Sequence, residues 1–252
     1  MIDIQNLTCR LGSQTVLDGL DLHIERGSFC ALLGANGCGK TTLLRCISGL
    51  LHPQGGTILL EGRPIEDYTI RERSRQLSLV RQQPSNDFDF SAFEIVLMGR
   101  NPYQRKLQNE SQADWDLVER CMRQNGTWQL RFAHPHEMSG GELQRVMIAR
   151  ALAQTTPIML LDEPTSNLDI AHQLGIMEFL ARLNHEEGKT ILIVVHDLNL
   201  ALQYCPQAAL LHEGRLYAHG AAADILTPSN IESLYGVTAQ VHDGILRFQP
   251  KH

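Results

Sequence analysis

The sequence predicts an α/β fold with a parallel-sheet core, an N-terminal antiparallel β subdomain and an inserted α-helical subdomain. Three observations carry that reading. Residues 29–33, 158–161 and 190–195 are continuous apolar runs bounded by polar loops, the pattern of strands covered on both faces. A helical stretch separates the last two runs, as a parallel crossover requires. Between residues 81 and 154 the helical signals dominate.

Near the start, Leu20, Leu22 and Ile24 alternate with Asp21, His23 and Glu25, the period of a half-buried strand. The first thirty residues therefore read as strands, with Arg26 and Gly27 turning the chain into the run 29–33. Leu43, Leu44 and Ile47 then recur at helical spacing. Ser91-Ala92-Phe93-Glu94 has the form of a capping box ahead of an apolar run that stops at Gly99, with Pro102 beyond. Trp115, Val118, Cys121 and Met122 fit one face of a further helix. Another helix, over 173–184, lies between the two late strands, and Glu213-Gly214 and Asp243-Gly244 predict two hairpins. The expected division is a core at about 1–81 and 155–252, with the helical subdomain at about 82–154.

Of the 252 residues, 43% are hydrophobic and 20% charged, enough apolar content for a core that folds without disulfide staples. The formal charge of −6, with acids and bases interspersed, argues against nucleic acid as a partner. Six scattered cysteines without metal-ligand spacing suit a reducing compartment. Met1-Ile2-Asp3-Ile4-Gln5 does not resemble a signal peptide, and aliphatic runs fall far short of the roughly 18 residues needed to span a bilayer. The expectation is a soluble chain that serves a membrane only through another protein.

Gly34-Ala35-Asn36-Gly37-Cys38-Gly39-Lys40-Thr41-Thr42 has the Gly-x-x-x-x-Gly-Lys-Thr spacing of a phosphate-binding loop. Glycines let successive backbone N–H groups turn inward around phosphate oxygens. Lys40 adds a point charge near the β- and γ-phosphates, and the Thr41 hydroxyl can ligate Mg²⁺. The helix that opens here aims its positive end at the same anion. Standing between a strand and a helix, the loop makes the core a P-loop NTPase (RecA-like) fold. At the end of the run 158–161, Asp162 is placed to hold Mg²⁺, and Glu163 to take a proton from, or orient, the attacking water.

Other residues resemble the ATP-binding-cassette (ABC) ATPases. Met138-Ser139-Gly140-Gly141-Glu142 is similar to that family's signature, usually Leu-Ser-Gly-Gly-Gln; its two departures keep the apolar bulk and the capping-box form. Ser166-Asn167-Leu168-Asp169 resembles the loop that crosses the family's dimer interface, and His196 its switch histidine. Gln82, with Gln83 beside it as the alternative, matches the glutamine that reaches Mg²⁺ and the attacking water. The resemblance runs from Ile2 to about Val237. It implies a head-to-tail homodimer, with loop 34–42 of one copy and Ser139, Gly140, Gly141 and Asp169 of the other enclosing each Mg·ATP. It also implies Glu163, His196 and Gln82 as catalytic, and Thr41, Gln82 and Asp162 as the Mg²⁺ site. Many cassettes stack adenine on an aromatic residue where Leu11 stands, which implies weaker base recognition. Cys38 is either a small residue that fits the loop or a thiol whose modification blocks ATP binding.

A lone cassette with net negative charge fits a transporter subunit better than the soluble cassettes that act on ribosomes or DNA. Residues 94–102, 196–201, 225–228 and 234–237 are similar to the importers of iron–siderophore, haem and cobalamin; molybdate-type oxyanion importers share much of the pattern. The resemblance implies integral-membrane permease subunits as partners, a substrate-binding protein acting indirectly through them, and a peripheral place on the cytoplasmic face of the inner membrane. Phe88, Phe90 and Phe93 are candidates for a groove that receives the permease's cytoplasmic helix, or else for the helical subdomain's own small core.

Overall fold

Side chains that alternate between two faces of one sheet organise the molecule. The computed structural model describes residues 1–82, 89–104, 110–242 and 245–250. β1 (Ile2–Leu11) and β2 (Gln14–Ile24) run antiparallel, and β3 (Phe29–Leu33) leads through the glycine-rich loop into α1 (Lys40–Ile47). Next come β4 (Gly55–Leu60), β5 (Arg63–Pro64), α2 (Ile70–Gln76) and β6 (Leu77–Val80). The helices α3 (Ala92–Leu97), α4 (Gln112–Gln124) and α5 (Gly140–Ala153) precede β7 (Ile158–Asp162), α6 (Ile170–Glu187), β8 (Thr190–Val194) and α7 (Leu198–Tyr204). β9 (Gln207–His212), β10 (Arg215–Ala221), α8 (Ala222–Ile225), α9 (Pro228–Tyr235), β11 (Val237–His242) and β12 (Ile245–Pro250) complete the order.

Among the described residues, one sheet has the order β10-β9-β3-β8-β7-β6 and a second the order β2-β1-β4-β5. In the first sheet β9, β3, β8, β7 and β6 are parallel, and β10 is an antiparallel edge. Every residue of β3, β7 and β8 is buried, which is why these strands read as unbroken apolar runs. Phe29, Ala31 and Leu33 face the core shared with the helices α3 to α6. Cys30 and Leu32 face the opposite core, shared with α1 and the antiparallel sheet. There Leu20, Leu22 and Ile24 point inward while Asp21 and His23 stay exposed, as their alternation predicts.

Local hydrogen bonding sets the helix ends. Ser91 Oγ accepts from the Glu94 N–H, and the Glu94 carboxylate accepts from the Ser91 N–H at 2.8 Å, the predicted capping box. α6 is longer than predicted because the Asp169 side chain caps its start and Gly188, at φ 63°, closes its end. Gly99 allows close approach: a Cβ there would lie 2.3 Å from the Arg150 carbonyl oxygen of α5. One position departs from its predicted stripe: Val118, Cys121 and Met122 are buried, but Trp115 is 49% exposed beside Phe93.

β9 and β10 pair across Glu213-Gly214, whose φ values of 46° and 79° suit a tight hairpin. β11 and β12 also pair, with His242 opposite Ile245; their predicted turn, Asp243-Gly244, lies outside the described residues. Gly214 braces the phosphate-binding loop from behind: its N–H donates to the Cys38 carbonyl at 3.2 Å, and its carbonyl accepts from Asp18 at 3.0 Å. A Cβ at 214 would lie 2.4 Å from the Val16 carbonyl oxygen. Gly214→Ala should therefore cost about 2 kcal/mol in denaturant unfolding, through left-handed strain plus this overlap. A loss below about 0.5 kcal/mol would show that the hairpin does not brace the loop.

Candidate functional site

Four neighbouring strands deliver polar groups to one edge. β3 ends in the glycine-rich loop, β8 is followed by His196, β7 ends in Asp162 and Glu163, and β6 is followed by Gln82. This is the carboxyl edge of the sheet, where open α/β folds bind ligands. Gly34, Gly37 and Gly39 take φ values of 146°, 78° and 106°. At Gly34 a Cβ would come 2.2 Å from the Leu211 carbonyl oxygen, so no larger residue fits the turn. Lys40 is buried, and its Nζ donates to the Gly34 and Ala35 carbonyls at 2.8 and 2.9 Å. Cys38 is 6% exposed and its Sγ packs against Gly34, which favours the packing role for this residue. Leu11, Gln14 and Val16 line a cleft of about 310 Å³ together with Asn36, Gly37, Gly39, Lys40, Thr41, Thr42 and Glu163. Leu11 offers that cleft an apolar surface without a ring.

Thr41 Oγ1 donates to Asp162 Oδ1 at 3.1 Å. Burial raises the Asp162 carboxyl above the ordinary carboxylate range against the opposing Thr41 hydrogen bond, and the neighbouring Glu163 charge raises it further. The hydroxyl, this carboxylate and Gln82 line one cleft of about 340 Å³ with Arg45 and Arg81. Hard oxygen donors of this kind suit Mg²⁺. Among the described residues no group of three His, Cys, Asp or Glu side chains could hold a metal. A cation at Thr41 and Asp162 would thus take its remaining oxygens from a bound phosphate and water, the usual Mg²⁺ arrangement.

Glu163 follows Asp162 with φ 50°, a left-handed conformation that costs about 1 kcal/mol in a residue with a Cβ. The turn is held by the Ser166 N–H and hydroxyl, which donate to the Glu163 carbonyl at 3.1 and 2.9 Å, and by the Glu163 N–H on Val194. His196 Nε2 lies 2.6 Å from Glu163 Oε1, and Gln82 Nε2 donates to Oε2. Gln82, Glu163 and His196 thus meet, while Gln83 lies outside the described residues.

The remaining predicted site residues form a separate patch. Ser139 caps α5 with Glu142 in the predicted box, and Ser139 and Gly140 are exposed. Hydrogen bonds from Ser139 hold the Glu142 carboxyl below its ordinary range. Asp169 caps α6 and is also exposed. None of these lines either cleft beside the glycine loop.

A groove of about 830 Å³ opens on the helical side, with Phe90, Phe93, Trp115, Trp128 and Phe132 among its walls. Phe93 lines this groove, its ring edge-on against Trp115 at 5.4 Å and Trp128 at 6.3 Å, and it also packs on the core, the second of the two places expected for it. Phe90 lines the groove, and Phe88 lies outside the described residues. Sequence reasoning missed Trp115, Trp128 and Phe132 as groove residues; the clustering of aromatics in a chain with only 6% of them was the available signal.

The fold and this edge define a P-loop ATPase. A sequence profile described as ABC transporter matches residues 17–166. The chain is 38% identical over 240 residues to the achromobactin transport ATP-binding protein of Dickeya dadantii, covering 95% of this chain and 89% of the relative. It is 40% identical over 248 residues to the hemin import ATP-binding protein of Bordetella avium, covering 95% and 94%. A solved structure described as a metal-chelate type ABC transporter in an inward-facing conformation superposes with TM-score 0.86 at 26% identity, covering 100% of this chain and 97% of that one. A cassette solved as a dimer in a post-hydrolysis state with ADP and phosphate matches with TM-score 0.77 at 28% identity, covering 88% and 99%. The chain belongs to the ABC transporter family, as one of its ATP-hydrolysing, ATP-binding proteins. Among the described residues no helix is long and apolar enough to cross a membrane.

A carboxyl raised by burial weakens the fold once ionised, and the cost grows as pH rises through its folded-state value. Asp162→Asn, which keeps an acceptor for Thr41, should therefore melt a few degrees above the parent at about pH 8, the gain shrinking below about pH 4. ATP hydrolysis should fall at least about 100-fold. Equal melting temperatures at the higher pH would show that the buried charge carries no penalty.

Proposed function

We propose that this chain is the ATP-hydrolysing subunit of an importer that takes up a metal chelate through a partner permease. The observation that carries the reading is the meeting, on one sheet edge, of the glycine loop, the Thr41–Asp162 pair and a carboxylate flanked by His196 and Gln82. Loop N–H groups and Lys40 bind the triphosphate. Thr41, Asp162 and Gln82 would hold Mg²⁺, which when bound neutralises charge on the phosphate oxygens. Glu163 accepts the proton of the attacking water. His196 and Gln82 hold its carboxylate, and with nucleotide bound His196 would sense the γ-phosphate. Ser139, Gly140, Gly141 and Asp169 of a second copy close the site head to tail, with the N–H groups of the α5 start and the Ser139 hydroxyl offsetting phosphate charge.

The relatives named for achromobactin and hemin transport support a metal chelate as cargo. The groove around Phe93 is the dock for the permease. Its aromatic walls call for an apolar ridge, and Glu94, Glu110, Asp116 and Glu119, against Arg131 among the described lining residues, call for cationic flanks on a cytoplasmic helix. Bound there, the chain is peripheral on the cytoplasmic face of the cell membrane.

Glu163→Gln should lower ATP turnover by about 10²–10⁴-fold while sparing ATP binding, whereas Lys40→Ala should weaken binding as well. Near-normal turnover by the first variant would remove Glu163 as the base. Affinity capture from detergent-solubilised membranes should recover a polytopic membrane protein, and the double variant Trp115→Glu, Phe132→Glu should lose it without losing ATP binding. Ribosomal proteins or nucleic acid in its place would move the chain to the soluble cassettes.

A further inference from the structure

The starts of α5 and α6 interlock through two glycines. His172, in the first turn of α6, lies over Gly141, in the first turn of α5: a Cβ at 141 would come 2.5 Å from His172 Cδ2 and 2.7 Å from Cγ. One turn further along, the relation reverses. Arg145 of α5 reaches over Gly175 of α6, where a Cβ would lie 2.3 Å from Nη2. Spacings of four residues on one helix and three on the other put each pair on a single face, so the two notches lie along one seam.

His172 is also tied to its own helix cap. Its ring Nδ1 is 2.8 Å from Asp169 Oδ2, and its backbone N–H donates to Oδ1 at 2.9 Å. These bonds keep the Asp169 carboxyl below its ordinary range. A carboxylate only accepts, so Nδ1 carries the proton. The ring therefore joins an exposed carboxylate at one end to the α5 start at the other. The Ser139–Glu142 box fixes the first turn within α5, but Gly140 and Gly141 have no side chains to hold that turn against α6, so its seat there depends on what packs over them.

We propose that His172 is a positioning residue, whose ring locks Asp169 and the segment Ser139-Gly140-Gly141 into one block that meets the nucleotide of a second copy in fixed geometry. The inference rests on the head-to-tail reading above. It adds a residue that lines neither nucleotide cleft of its own chain. Displacing such a block by about 1 Å can cost 10²-fold in rate without touching the nucleotide loop.

The test uses the full-length chain. ATP affinity, melting temperature, kcat and KM are measured for the parent, His172→Ala and His172→Asn, and ATP-driven dimerisation is followed by light scattering in the Glu163→Gln background. Asn keeps a donor for Asp169 but leaves the notch over Gly141 open. His172→Ala should keep single-copy ATP affinity within about twofold, yet lose at least about tenfold in kcat and in dimer formation, with His172→Asn recovering part of both. Unchanged kcat and dimerisation in His172→Ala would overturn the proposal. So would a parallel fall in melting temperature and ATP affinity, which marks a purely structural role. If the Glu163→Gln chain with wild-type His172 stays monomeric with ATP and the parent does not hydrolyse it, the head-to-tail reading itself fails, and the role of His172 with it.

Discussion

Burying parallel strands on both faces is the constraint from which the rest of the molecule follows. β3, β7 and β8 are enclosed along their whole length, so a charged side chain within them would be desolvated with no partner. Polar chemistry is pushed to the strand ends. Asp162 is the one acid these strands contain, and it sits at the last residue of β7, where Thr41 meets it. The two cores on either side of the sheet hold the strands in parallel register, so the loop after β3, the acids at the end of β7 and His196 after β8 are brought to one edge together.

The edge is arranged as complementary deficits of charge. Lys40 turns its ammonium onto two loop carbonyls, and the N–H groups at the start of α1 face the same loop as donors for an anion. Asp162 is a buried carboxylate beside a second acid, an arrangement relieved by a cation. A Mg²⁺-bound triphosphate would satisfy both. After the left-handed turn at Glu163 the second carboxylate meets His196 and Gln82, while Asp162 meets Thr41. Two acids that are neighbours in the chain thus have different partners.

Helix α5 joins the outward-facing surfaces. Its first turn carries Ser139 as cap, with Gly140 and Gly141, and locks onto α6 through His172. Its body packs on α3 and α4, whose side chains wall the aromatic groove, and its Arg150 carbonyl lies against Gly99 at the end of that wall. One helix thus supports both the wall of the aromatic groove and the capped turn at Ser139.

Much of this was legible in the sequence because it depends on residues close together in the chain. Unbroken apolar runs report burial on both faces, the phosphate-binding loop is a local backbone shape, and the capping boxes at Ser91 and Ser139 close within three residues. The short strands β4 and β5 gave no comparable signal, since two to six residues carry too little periodicity to distinguish them from loops; α2 was missed although Thr69-Ile70-Arg71-Glu72 carries the same box. Other features were decided only in three dimensions. Trp115 obeys the helical spacing of its core neighbours yet is left half-exposed, edge-on to Phe93 in the wall of a groove. The contact between Gln82 and Glu163 spans 81 residues, and the ring of His172 lies over Gly141 from another helix. Sequence alone determined the buried parallel strands, the capping boxes at Ser91 and Ser139 and the phosphate-binding loop, because those are written within a turn or a strand; tertiary structure decided which distant side chains meet, because that depends on how the completed layers pack.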